Sequence, residues 1–339
     1  MNEDISKKTI ASRVDFVLVF SVDNANPNGD PGYDNRPRMD DHTGKGFMTD
    51  VCLKRKIRNR IEMMKELKDG YDIWVRSGTY LRKTVENAIE IIRKEKEYEK
   101  LKTDKEKADY EKRRLCEQFF DIRAFGGVLT FDSESAGEEG QVKTTTKTKS
   151  KVSQIRGPVS IQYAKSVAPI IVEDDEITRV CPTQFDKNKP EKQTEMGRKK
   201  RVPFAVYVAK GSVSARLAEG EKGTGFSNAD LQLLKDALKT LFLNDESTAR
   251  PIGSMIMQKG IFFTNTAKDG DEAVHKTLER LKVEFVGKEE NGFKVERPEK
   301  ARDMGCYKIS LDKENLPKDD NGQPKIKIEE FGDYAAVNI

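Results

Sequence analysis

The strongest apolar run of the chain, VDFVLVFSV at residues 14–22, is β-branched and aromatic and predicts a buried strand. The next segment, 23–47, is crowded with Gly, Asn, Pro and Asp, so no regular element is expected to persist and a long loop is predicted. Helical spacing begins directly afterwards. Leu53, Ile57, Ile61 and Met64 recur on one face, Thr49 is placed to cap the first turn, and Asp50 suits the positive helix end. Lys54, Arg55 and Arg58 fall on the other faces. Residues 82–118 keep helical character with sparse apolar positions (Val85, Ala88, Ile89, Ile92) in a run that is otherwise mostly charge, and read as a solvated helical insertion.

Strand character resumes over 121–131, followed by a Ser, Gly, Thr and Lys-rich stretch (132–151) that is expected to be mobile. Residues 154–172 predict one or two strands broken at Gly157–Pro158. A polar segment, 182–201, separates this region from the apolar strand 202–208. The clearest helix is 227–243, with Ser227 and Asp230 spaced as a capping box and Leu231, Leu234, Leu238 and Leu241 along one face. A strand (255–263), a short helix (271–281), a strand (282–287) and strand pieces near 305–311 and 325–329 complete the chain. The order is that of an α+β sheet of βαββαβ type, ferredoxin-like or RRM-like, enlarged by insertions within a single domain over 1–339.

Composition alters this picture in one respect. The 339 residues are 36% hydrophobic and 35% charged, with a mean hydropathy of −0.73, so the apolar kernel must carry polar arms. Lys and Arg total 62 against 58 Asp and Glu, a net charge of only +4, so any affinity for polyanions has to come from local clustering. The opening MNEDISKK has no apolar stretch of signal-peptide type, and Phe16–Phe20 is too short to span a bilayer. Cys52, Cys116, Cys181 and Cys306 lack metal or disulfide spacing, which favours free thiols, a reducing cytoplasm and no membrane association.

Chemistry is sparse. His42 and His275 have no spaced partner for a metal or a nucleophilic triad. The loop acids Asp23, Asp30, Asp34, Asp40 and Asp41 match no cation-loop spacing, and Asx turns account for Asp in such a loop. Phosphate-binding glycine motifs are absent, so neither catalytic residue, cofactor nor metal is expected.

Three basic clusters remain. Residues 53–60 place Lys54, Arg55, Lys56, Arg58 and Arg60 in one helix without an acid among them, with Arg36 and Arg38 ahead of it, which suits a phosphodiester track. Residues 187–201 hold seven basic residues against two acids, including Lys192, Arg198, Lys199, Lys200 and Arg201. Met196 lies among them as an apolar tip able to wedge between bases. Residues 141–156 add Lys143, Lys147, Lys149, Lys151 and Arg156. With no RNP-like aromatic string on a strand, recognition would rest on backbone and shape.

The run VDNANPNGDPGYDNRPRMDDHTGKGFMTDVCLKRKIRN resembles the N-terminal signature of the CRISPR-associated family-seven proteins, RAMP-superfamily backbone subunits of Cascade. Its N-P-N-G-D-P form is similar to the type I-C branch. DIRAFGGV, RGPVSIQYAKSVAPI and RVPFAVYVAKGSVSARLAE resemble later blocks in the same order. The resemblance implies an RRM-like palm with helical finger insertions (82–118), a long loop (23–47) and a thumb hairpin (182–201). It implies non-catalytic subunits stacked head-to-tail on a CRISPR RNA, beside other Cascade subunits, with a target DNA strand pairing to the guide. On it, Lys54 and Arg58, with Thr49, Asp50 and Arg55, hold RNA phosphates; Arg36, Arg38, Gln154 and Arg156 assist; and Met196 in the thumb kinks the RNA. Related RNA-cutting subunits use an acidic loop residue, which leaves Asp40 or Asp41 as the alternative, a metal-dependent ribonuclease.

Overall fold

Along the strand Val14–Ala25 (β1), alternation sends Phe16, Leu18, Phe20 and Val22 to one face and Val17 and Val19 to the other; all six are buried. A strand buried on both sides must lie inside a sheet covered on both sides. The computed structural model describes residues 8–129, 154–181, 183–184, 194–290 and 293–332. Its principal elements are β1, β2 (Lys45–Met48), α1 (Asp50–Lys65), α2 (Leu81–Ile92), α3 (Asp104–Gln118), α4 (Phe120–Phe125), β3 (Val159–Ile161), β4 (Ala164–Pro169), β5 (Glu173–Arg179), β6 (Glu195–Val213), α5 (Asn228–Lys239), β7 (Met255–Asn265) and β8 (Ile326–Gly332). The protein is a mixed α+β molecule whose central antiparallel sheet runs β8-β7-β1-β6-β4-β2, with β3 and β5 also paired to β6.

One face of the sheet is packed by α1 and α5, through Leu53, Ile57 and Ile61 of the first and Leu233, Leu234 and Leu238 of the second. Both helices start as the sequence implies. Thr49 Oγ1 accepts from the Cys52 N–H at 3.2 Å. Ser227 and Asp230 form the reciprocal capping box. The opposite face is covered by the C-terminal third, where Leu278, Leu281, Cys306 and Tyr307 close over Val17, Val19, Val206, Ile261 and Phe263. The broad face that an RRM would leave open is therefore filled here.

Several expectations need correction. Among its described residues, the stretch at 121–131 is helical over Phe120–Phe125 and extended at Gly126–Val128. Its alternation of apolar and polar residues imitates a strand. Asp121 and Arg123 are nevertheless buried beside Phe120, Ile122 and Ala124, because each finds a distant ionic partner. The 82–118 insertion divides into α2, a short helix Lys96–Glu99 and α3. It is not simply solvated, for Val85, Ala88, Ile89 and Ile92 join Trp74, Leu115 and Phe119 in a second core.

The 23–47 loop holds short paired strands, Gly29–Asp30 against Arg36–Pro37, and β2. Asn24, Asp34 and Asn35 take positive φ there, a conformation their short polar side chains tolerate. The arm at 182–201 begins earlier than its polar composition suggests. Its first strand is β5, and its second is the start of β6, a single strand that continues into the sheet. Residue 182, residues 185–193 with Lys192, and the 132–151 stretch lie outside the described residues. Cys52, Cys116 and Cys306 are free thiols, the last two buried, and Cys181 is exposed. Among the described residues no helix is long and apolar enough to cross a membrane.

Candidate nucleic-acid interface

The basic run of α1 is not the bare phosphate track that its composition suggests. Its counter-ions arrive from elsewhere in the chain. Arg58, expected on an outer face, is buried, and its Nε donates to Asp121 Oδ2 at 2.7 Å. Lys56 is buried against Asp245. Arg55 donates to the Val75 carbonyl at 2.6 Å, and Arg60 Nε to Thr240 Oγ1 at 2.8 Å. Lys54 pairs with Asp50 at 3.0 Å one turn earlier, the only one of these pairs made within the helix itself. Thr49 is fully occupied: its Oγ1 caps α1, and both its N–H and its hydroxyl donate to Asn28 Oδ1, at 3.1 and 3.3 Å. Of the helix residues in the sequence reading, Lys54 is the one whose partly exposed partner, four residues away on the same helix, could be exchanged for a phosphate at small cost, since such helix pairs contribute under about 1 kcal/mol. If α1 meets single-stranded RNA as the resemblance implies, Lys54→Ala is expected to lower the salt slope of binding by about 0.7, as for one single-strand phosphate contact. Arg58→Ala is expected to leave that slope alone and lower the urea midpoint. A slope lost in Arg58→Ala would overturn this division.

The 23–47 loop is tied down by its own acids. Asp30 caps the Gly32 N–H and pairs with Arg38 at 2.8 Å. Arg36 is exposed and makes no ion pair with a described residue. Asp40 Oδ1 accepts from the His42 N–H in an Asx turn, which lowers its carboxyl below the usual range. No three His, Cys, Asp or Glu side chains among the described residues converge in a way that could hold a metal. Gln154 and Arg156 stand exposed on a separate two-stranded ribbon opposite Val128 and Gly126.

The arm is where the predicted residues come together. β5 and the start of β6 pair so that Glu173, Asp174, Asp175 and Glu176 stand opposite Arg201, Lys200, Lys199 and Arg198. Arg201 reaches both Glu173 and Asp175 at 2.6 Å and also bonds Asn24 of the loop. Arg198 lies 3.6 Å from Glu176. Lys200 turns to Asp34 at 2.6 Å, and that ammonium holds the Asp34 carboxyl below the usual range. Further out, hydrogen bonds from Thr183, with help from Arg179, hold the Glu195 carboxyl down to about 2. Met196 is 70% exposed, and Ile177 of the facing strand is exposed as well.

Between arm, loop and residues 248–249 lies an open cleft of about 580 Å³, walled by Asn26, Asp34, Met196, Arg198, Lys199 and Lys200. It unites the arm with the loop but not with Gln154 or Arg156. The acidic strand was missed by reading charge clusters one at a time. The EDDE run at 173–176 was visible and, at hairpin distance from RKKR, marks the complementary strand.

An antiparallel sheet covered on both faces, carrying an arm of facing cations and carboxylates rooted beside a polar loop, defines a mixed α+β protein with a charged appendage. The family model described as CRISPR-associated protein Cas7 matches residues 12–312, and the chain belongs to that family. A CRISPR-associated protein Cas7 of Haloferax volcanii is 27% identical over 251 residues, which span 71% of this chain and 67% of the relative. Among solved structures, a chain of a pre-nicking CRISPR RNA-guided surveillance complex is similar at a TM-score of 0.41 and 11% identity, covering 79% of this chain and 82% of that one. A second CRISPR RNA-guided surveillance complex gives 0.39 and 14%, covering 74% and 69%.

Proposed function

We propose that this chain is a guide-RNA-binding backbone subunit of a CRISPR surveillance complex of the Cascade kind. In this reading it polymerises head-to-tail along the spacer and presents the guide for pairing with a target DNA strand, without catalysing a reaction itself. The observation that carries the proposal is the family match over 12–312, joined to an arm and loop that bring Met196, Arg198, Lys199 and Lys200 to one cleft. The N-P-N-G-D-P run at 26–31 favours the type I-C form. The spatial order β7-β1-β6-β4, with α1 and α5 on one face, favours an RRM-like palm, because it is the fourth-first-third-second order of a βαββαβ sheet. The arm then serves as thumb and the α2–α3 region as finger.

The test is native mass and nuclease footprinting of the protein with CRISPR RNAs of graded spacer length. Heterologous contacts that do not close let RNA length set the copy number. Copy number should rise stepwise with spacer length, with nuclease-sensitive nucleotides at a fixed period. One copy at every length would overturn the filament. Metal-dependent cleavage of the RNA would overturn the non-catalytic assignment.

A further inference from the structure

The sheet edge opposite β8 carries a feature that the charge clusters do not explain. Phe47 of β2 and Tyr163, in the turn between β3 and β4, stack with ring centroids 5.8 Å apart and planes 13° from parallel. Large aromatics normally stack inside a core, yet Tyr163 is 49% exposed and Phe47 half-buried. The fold aims them outward. Along β2, Gly46 and Met48 point inward and are buried, which turns Phe47 to the other side. Gly46 has to be glycine for the strand to lie so close: a Cβ there would come within 2.7 Å of Ile170 Cδ1 and collide with the Tyr207 hydroxyl. Tyr163 is held from behind, because its neighbour Gln162 donates its N–H to the Lys210 carbonyl of β6 at 2.8 Å. A cation stands beside the ring pair. Lys165 is the ladder partner of Phe47, is exposed, and makes no ion pair with a described residue. Lys165 lies opposite Val208, and Lys210, two residues on along β6, projects from the same face.

We propose that Tyr163, backed by Phe47, is a stacking platform for a base of single-stranded RNA, with Lys165 holding the adjoining phosphate. The proposal rests on the RNA-binding function above and adds a base contact to a subunit otherwise read as gripping backbone. An exposed ring held rigid by its neighbours stacks any base without sequence preference, and a free ammonium beside it supplies the charge complementarity. Among the described residues, this rim sets an exposed tyrosine beside lysines that make no ion pair with a described residue.

The experiment uses the full chain and a CRISPR RNA with 5-iodouridine through the spacer, irradiated and digested with trypsin. The crosslink is expected in the peptide GPVSIQYAK, residues 157–165, at Tyr163. In parallel, Tyr163→Ala is expected to weaken RNA binding by about tenfold, the usual effect of losing one stacked base. Tyr163→Phe should stay within about twofold, and Lys165→Gln should flatten the salt slope by about 0.7. Tyr163 is half exposed, so these variants keep the fold. If the wild-type protein binds RNA, but Tyr163→Ala matches it and no crosslink forms in that peptide, the platform is overturned and the RNA-binding reading stands. If the wild-type protein binds no RNA, the broader reading fails and this one with it. A crosslink given only by the equivalent 5-iodo-2′-deoxyuridine DNA strand would overturn the assignment to RNA.

Discussion

Asp121→Ala is expected to cost about 3–5 kcal/mol of folding stability, read as a lower urea midpoint, because it strands a buried cation. Asp121 is fully buried at the start of α4. Its Oδ2 accepts from Arg58 Nε at 2.7 Å and from the Val75 N–H at 3.0 Å, while Oδ1 accepts from the Trp74 N–H at 2.8 Å. One carboxylate thereby ties α1, the segment leading into the helical insertion and α4 together. Removing it leaves the guanidinium and two backbone donors without their acceptor in a site closed to water. The same loss should not follow when both charges go, since a buried pair can often be exchanged for apolar groups at little cost. Arg58→Met with Asp121→Leu should therefore recover a large part of what Asp121→Ala loses. A single-variant loss below about 1 kcal/mol would show that water reaches Asp121 and that the insertion is not anchored there.

That ion pair also explains where reading the sequence succeeded and where it stopped. β1, α1 and α5 were legible because their signals are local: an apolar run, apolar residues at helical spacing, and caps at Thr49 and Ser227. The counter-ions of the basic helix were not, because Asp121 lies 63 residues from Arg58 and Asp245 lies 189 residues from Lys56. A helix that reads as bare positive charge is partly a core helix with its neutralising acids delivered by the fold. The same distance misled the reading of α4, whose period-two pattern needs Asp121 and Arg123 to face water in a strand. In the helix both are buried, and Arg123 finds Asp230 at 2.8 Å, 107 residues away. The C-terminal cover over the second sheet face was equally faint. Val283, Phe285, Tyr307 and Ile309 come from short strands that each offer only one apolar side.

The arm turns this reasoning into a functional test. Replacing Glu173, Asp174, Asp175 and Glu176 by Gln, Asn, Asn and Gln is expected to raise RNA affinity at low salt by about tenfold or more, and to steepen the salt slope by about 2–3. Within the chain these carboxylates occupy cations that a phosphate backbone would otherwise meet, with Arg201 held by two of them and Arg198 by a third. Replacing Arg198, Lys199, Lys200 and Arg201 by Gln should move affinity and slope the opposite way. The two sets break the same cross-strand pairs, each contributing roughly 0.2–1 kcal/mol, so loosening of the β5–β6 pairing is common to both, while the basic set also releases the arm from Asp34 and Asn24 of the loop. Only the sign of the effect on RNA separates a charge-gated arm from a merely structural one. Lys200 sharpens the contrast, because its ammonium is held by Asp34 of the loop. Freeing the β5 acids alone leaves that latch in place, and adding Asp34→Asn should raise the affinity a further step. Should the acidic-strand variant bind RNA as weakly as the basic-strand variant, the ionic ladder is there to build the hairpin, and the RNA contacts of the arm lie nearer Met196 and its tip.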